Sequence, residues 1–274
     1  MKFGIHLPHA GDQATPALIR RHAERAEALG LEDVWVSEHI IVPRAKFPRS
    51  PLFYDPVLSL TWAAAVTKRV RLGTSVLVLP MRHPLPLAKE LATLHNFSEG
   101  RLILGAGSGW LKEEFDALGV PFNERGRRLD EGLAMMRAVW SQDPVTFQSR
   151  YIPAVIEAMT MTPMPASPIP LWFGGSAEPA LQRTIRLGDA WHGSGLDGEK
   201  TASIIQRLRA ARPGADFTIS MRVGWNGVDR GALRALVDRY AAMGVQHLLV
   251  APEDRNVDDW EAVTEGVGSL VSNG

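Results

Sequence analysis

The chain has 274 residues, 45% of them apolar and 22% charged, the ordinary composition of a folded globular protein rather than a disordered or fibrous one. Lys and Arg total 30, as do Asp and Glu, so there is no basic excess to condense on nucleic acid. The absence of cysteine excludes disulfide, thiolate-metal and thiol chemistry, and no apolar run approaches the roughly 18 residues of a membrane span.

In chain order, a β-rich run at 3–7 is followed by a helix over 15–30. Thr15-Pro16 supplies an N-cap and an N1 proline, and Gly30 a stop. Further β-rich runs lie at 34–38, 70–79 and 101–107. Leu87, Leu91 and Leu94 form one helical stripe between the last two, and after 101–107 Leu129, Leu133, Met136 and Trp140 form the next. Segment 143–170 breaks the rhythm, because Pro163, Pro165, Pro168 and Pro170 forbid a helix. It reads as a small hairpin and then an extended approach to the next strand. The alternation resumes with strands at 171–175, 190–193, 217–223 and 247–251. A helix starts near Pro179, a stripe carries Leu233, Leu236, Tyr240 and Met243, and a last one carries Trp260, Val263, Val267 and Leu270.

Repeated strand–helix alternation specifies parallel strands. Eight units predict an α/β fold of the closed (β/α)₈ type, one domain over 1–274 with an insertion at 143–170; an open doubly wound sheet is the competitor. In such a barrel, chemistry sits at the C-terminal ends of the strands. There the second strand offers Glu38-His39, an acid beside a base. The third carries the small residues Gly73, Thr74 and Ser75, read either as a bulge near a ligand or as barrel packing. The fourth gives Gly105, Gly107 and Gly109 around Ser108, then Trp110, a loop in the wrong place for a Rossmann site. Gly174, Gly175 and Ser176, with the Gly193-Ser194 turn, precede helices and resemble a phosphate grip. His6 and His9 are spaced three apart, which places them on opposite faces of a strand unless Pro8 ends it first, so no metal is expected.

Taken together, VWVSEH at 34–39, RLGTSVLVLP at 71–80, RHP at 82–84, SEGRLILGAGSGW at 98–110 and ERGRRLDE at 124–131 resemble the luciferase-like monooxygenase superfamily. Glu114-Phe115, LGVPF at 118–122, Ile169–Ser176 and GDAW at 188–191 extend the resemblance, which is closest to the branch that uses the deazaflavin coenzyme F420. It implies a hydride-transferring oxidoreductase with an FMN-dependent monooxygenase as the alternative, and a non-catalytic cofactor-binding protein as a third reading. It further implies a cis peptide at Ser75–Val76 supporting the ring, with Gly107 and Ser108 beneath it. His39 would exchange the proton and Glu38 would touch the ring edge. The phosphate would lie on Gly174, Gly175, Ser176, Gly193 and Ser194. Trp110 would shape an apolar pocket for a small-molecule substrate. A cytoplasmic homodimer is expected, without nucleic-acid or membrane partners.

Overall fold

Eight parallel strand positions close into a barrel in the computed structural model, which describes residues 1–196, 198–214, 216–253 and 257–272. The chain runs β1 (Lys2–His6), α1 (Pro16–Ala28), β2 (Asp33–Val36), α2 (Pro56–Ala64) and β3 (Arg71–Thr74). The Ser75-Val76 peptide is cis, and the strand resumes as β4 (Leu77–Val78). Then come α3 (Pro84–Phe97), β5 (Leu102–Gly107), α4 (Lys112–Ala117) and α5 (Arg125–Val139). An antiparallel pair, β6 (Val145–Gln148) and β7 (Val155–Met159), forms the insertion. The barrel is completed by β8 (Leu171–Gly174), α6 (Glu178–Leu187), β9 (Ala190–Ser194), α7 (Gly198–Ala211), β10 (Thr218–Trp225), α8 (Arg230–Ala242), β11 (His247–Pro252) and α9 (Val257–Ser272).

The strand order is β3-β2-β1-β11-β10-β9-β8-β5-β4, and closure comes from β3 pairing with β5, Leu72 opposite Leu102. The expected barrel and its insertion are therefore both present. The insertion is the expected hairpin, tied down because Glu131 on α5 accepts the N–H groups of Arg150, Tyr151 and Ile152.

Local chemistry explains the element ends. Thr15 accepts the Leu18 N–H at 3.2 Å, Asp55 that of Leu58 at 3.0 Å and Asp229 that of Ala232 at 2.9 Å. Each such cap contributes about 1 kcal/mol. The expected run at 70–79 is split, because the cis peptide interrupts the ladder. The first strand ends at His6, before Pro8, so the His6 and His9 rings come within 5.0 Å rather than facing apart.

Inside the barrel, Trp35, Ile103, Trp172, Ala190 and Leu249 form one cluster, while the larger core lies between strands and helices. Gly73 serves that packing: a Cβ there would lie 2.2 Å from the Trp35 ring. Of the two readings of the small residues on the third strand, barrel packing holds at Gly73. No described helix is long and apolar enough to cross a membrane.

Candidate active site

A cavity of about 680 Å³ lies at the C-terminal ends of the strands, within the range of roughly 300–1,000 Å³ typical of small-molecule sites. Its wall includes His39, Ser75, Val76, Gly107, Ser108 and Trp110, and it continues past Gly174, Gly175, Ser176 and Ser194. Residues from five separate strand ends thus meet at one place, as the barrel requires. Gly193 is the exception among the expected site residues. It is buried, and a Cβ there would meet Met221 Sδ and the Trp191 ring at 2.6 Å, so its smallness serves core packing.

One end of the cavity is an acid–base pair. His39 Nδ1 lies 2.8 Å from Glu114 Oε2, and Glu114 Oε1 accepts the Ile40 N–H at 2.8 Å. The carboxylate is fixed by backbone and in turn fixes the imidazole ring. Phe47, Phe53 and Trp110 meet the His39 ring edge-on, with centroids at 5.0, 4.8 and 6.0 Å. These rings make an apolar collar, in which an unshared charge is costly. Trp110 is 65% exposed, so its indole stands at the rim.

The acid beside His39 is therefore Glu114, not its chain neighbour Glu38. Glu38 faces the cavity wall, but its carboxylate accepts the Val78 N–H at 2.5 Å and Arg82 Nε–H at 2.6 Å. Arg82 also donates to Asp55 at 2.6 Å. Burial pushes the Glu38 carboxyl up, against the pull of Arg82 and the Val78 N–H. It thereby ties Val78, just after the cis peptide, to Arg82. Glu114 was hard to single out in sequence because 75 positions separate it from His39.

The floor is built around Val76. A Cβ on Gly107 would lie 2.6 Å from Val76 Cγ2, and one on Gly174 3.0 Å from Val76 Cγ1. These two glycines make room for the valine, which fills the space beneath the cavity. The Ser75 carbonyl accepts Arg222 at 3.1 Å, and its hydroxyl lies 2.9 Å from His192 Nε2.

The other end suits an anion. Gly175 has φ +104, a conformation side chains rarely adopt, and it turns the chain into α6, whose N-terminus carries no side-chain cap. Such an end offers N–H donors and the positive pole of the helix. Arg222 and Arg125 add positive charge to the wall, and Arg125 Nε is buried without a partner. Both arginines escaped the sequence reading. The signal for Arg222 was present as a lone cation in the β-rich run 217–223. Among the described residues no cluster of three or more His, Asp or Glu could hold a metal.

Comparison with known proteins bears on this arrangement. An uncharacterized protein of Mycobacterium tuberculosis is 30% identical over 99% of both chains. An F420-dependent glucose-6-phosphate dehydrogenase of Kineococcus radiotolerans is 33% identical over 69% of this chain and 56% of its own. Among solved structures, a monooxygenase from Streptomyces bottropensis superposes with TM-score 0.81 at 21% identity over 100% of both chains. An F420-dependent secondary alcohol dehydrogenase, solved with an F420-acetone adduct, superposes with TM-score 0.82 at 18% identity, over 96% of this chain and 97% of its own. The sequence model of the luciferase-like monooxygenase family matches residues 1–249, and the chain belongs to that family.

Proposed function

We propose that the protein is a coenzyme F420-dependent oxidoreductase that moves a hydride between the deazaflavin and a small organic substrate. The observation that carries the reading is the His39–Glu114 pair at 2.8 Å, set in an aromatic collar at one end of a cavity whose other end suits an anion. Relatives named as F420-dependent enzymes support it in both sequence and fold.

The residues fit a planar ring with an anionic stem. Val76 gives an apolar floor, and Arg222 and the α6 N-terminus meet the stem. The orphaned Arg125 Nε is a further donor for it. When bound, a deazaflavin accepts or gives a hydride at a ring carbon. His39 moves the accompanying proton at the substrate's oxygen or nitrogen. Glu114 holds the imidazole ring in place and stabilises its charged form. Phe47, Phe53 and Trp110 exclude water and favour an apolar substrate. Trp110 cannot transfer a proton at all, since an indole N–H only donates a hydrogen bond.

The test is to load the protein with F420 and challenge it with small alcohols and carbonyl compounds, following the deazaflavin absorbance. Turnover with at least one compound, lost in His39→Ala, is expected. Turnover that survives His39→Ala within a few-fold overturns the role of His39. FMN-dependent oxygenation is the second reading, favoured by the Streptomyces bottropensis neighbour, named a monooxygenase and covering 100% of both chains. Oxygen consumption with reduced FMN is its signature. A homodimer is proposed with either reading, and sedimentation velocity checks it.

A further inference from the structure

A chain of five polar side chains crosses the inside of the barrel. Ser75 Oγ lies 2.9 Å from His192 Nε2, and His192 Nδ1 lies 2.8 Å from Ser220 Oγ. Ser220 Oγ lies 2.7 Å from His247 Nδ1, and His247 Nε2 lies 2.8 Å from Asp33 Oδ1. No member is more than 7% exposed. Ser75 and His192 line the cavity at the mouth. Asp33 and His247 line a second cavity of about 600 Å³ at the foot, where β2 and β11 begin.

The chain is insulated. Trp35 stacks on His192 at 5.0 Å and 9°, and Trp172 meets His247 at 5.2 Å and 77°. Gly4 makes room at the foot, since a Cβ there would lie 1.9 Å from Asp33 Oδ1. A core of aliphatic residues would close the barrel at less risk, because buried polar groups are costly unless every one is satisfied.

Geometry and charge give the chain a direction. Burial pushes the Asp33 carboxyl up, but His247, then Trp35 and Arg71, outweigh it and hold it below the usual range. An ionised Asp33 only accepts, so His247 Nε2 carries a proton, and Trp35 Nε1–H donates to the same oxygen at 2.5 Å. A buried carboxylate needs a compensating charge, and His247, 1% exposed beside it, is placed to supply it. Burial, then His247 and Arg222, push His192 down to about 3, so His192 is neutral. With a proton on each His247 nitrogen to balance the Asp33 carboxylate and a neutral His192, the contacts are met by the following arrangement. His247 Nδ1–H donates to Ser220, the Ser220 hydroxyl to His192 Nδ1, His192 Nε2–H to Ser75, and the Ser75 hydroxyl into the cavity.

We propose that this chain is a proton conduit, loaded at the His247–Asp33 pair and discharged through the Ser75 hydroxyl onto a lone pair of a heterocycle in the mouth cavity. In one discharge the Ser75 O–H bond breaks and a bond to the heterocycle's oxygen or nitrogen forms. Ser75 takes the proton of His192 Nε2, His192 Nδ1 takes that of Ser220, and Ser220 takes that of His247 Nδ1. His247 ends neutral, still donating to Asp33, and one proton has left the protein. Water in the foot cavity reloads His247. Ser75 is the catalytic residue, and His192, Ser220, His247 and Asp33 are positioning residues. Delivery to a bound deazaflavin rests on the function proposed above; the polarity of the chain does not.

The test is ¹⁵N NMR of histidine-labelled protein without cofactor, which reads each ring's protons. Expected in the wild type are a doubly protonated His247 and a His192 protonated at Nε2. Asp33→Asn keeps the acceptor but removes the charge. His247 should become neutral, and the His192 proton should move to Nδ1 at the far end of the barrel. His192 protonated at Nδ1 in the wild type overturns the proposal, and needs no variant to fold. An unchanged His192 in a folded Asp33→Asn protein overturns the coupling. Since neither reading needs F420, failure here is distinct from failure of the cofactor to bind, which a separate titration reports.

Discussion

The barrel holds two histidine–carboxylate pairs at the same 2.8 Å separation, one at its mouth and one at its foot. At the mouth, the His39 side chain is 14% exposed and borders the cavity, so its proton can reach a ligand. At the foot, His247 and Asp33 are both 1% exposed, Trp35 donates to the Asp33 oxygen and Trp172 meets the His247 ring. The mouth pair thus borders the large cavity directly, whereas the foot pair reaches it only through Ser220, His192 and Ser75. The contrast teaches that surroundings, not residue identity, decide what a buried acid–base pair is for.

The largest effect should separate the two pairs. His39→Ala is expected to lower kcat by about 10²–10⁴-fold, the usual worth of a general acid–base, with the cofactor Kd little changed. Glu114→Gln keeps an acceptor for the Ile40 N–H but not the charge beside His39. A smaller fall in kcat and a displaced pH–rate profile are expected. At the foot, Asp33→Ala is expected to destabilise the fold by about 3–5 kcal/mol, since it leaves a buried partner unpaired; denaturant unfolding measures it. An Asp33→Ala protein as stable as the wild type would erase the distinction between the two ends.

Two smaller effects sharpen it. Gly107→Ala places a methyl 2.6 Å from Val76 Cγ2 and should destabilise by about 1–3 kcal/mol, as overpacking does. A lower Tm together with a weakened cofactor Kd would tie the cavity floor to binding. The insertion provides a control remote from both pairs. Burial pushes the Glu131 carboxyl up, but donors from Arg150, Ser149, Tyr151 and Ile152 outweigh it and hold it below the usual range. A carboxylate that is more acidic when folded stabilises the fold above its unfolded pKa. That stability is lost as pH falls through the folded value. The 150–152 amides should therefore exchange faster as pH falls below the ordinary glutamate range, measured against the intrinsic rate. The acceleration should be absent in Glu131→Gln.

The barrel was legible in the sequence because strand–helix alternation is a local signal, as in the Thr15-Pro16 start of α1 and the Leu87, Leu91 and Leu94 stripe of α3. Helix α3 begins three residues before that stripe, at Pro84, since the proline start is conformational rather than periodic. The insertion was legible because Pro163, Pro165, Pro168 and Pro170 forbid a helix after its hairpin, β6 and β7. The cis Ser75-Val76 peptide came from resemblance alone, for no physical feature of that dipeptide requires it. The mouth was half legible: His39 stands at a strand end, but its partner arrives from α4, a contact made only by folding. The foot was not read at all. His247 lies in a β-rich run that pattern reading treats as core, as do Ser220 and His192 further along the chain of contacts, and Asp33 stands just before the run at 34–38. Single polar residues at buried positions in parallel strands were the available sign.

The central claim is that the mouth cavity holds a deazaflavin, and side-by-side titration of the purified protein with coenzyme F420 and FMN tests it most directly. Saturable binding of F420, weakened by Arg222→Ala and much tighter than that of FMN, is the expected result. Tight binding of FMN with none of F420 would contradict it.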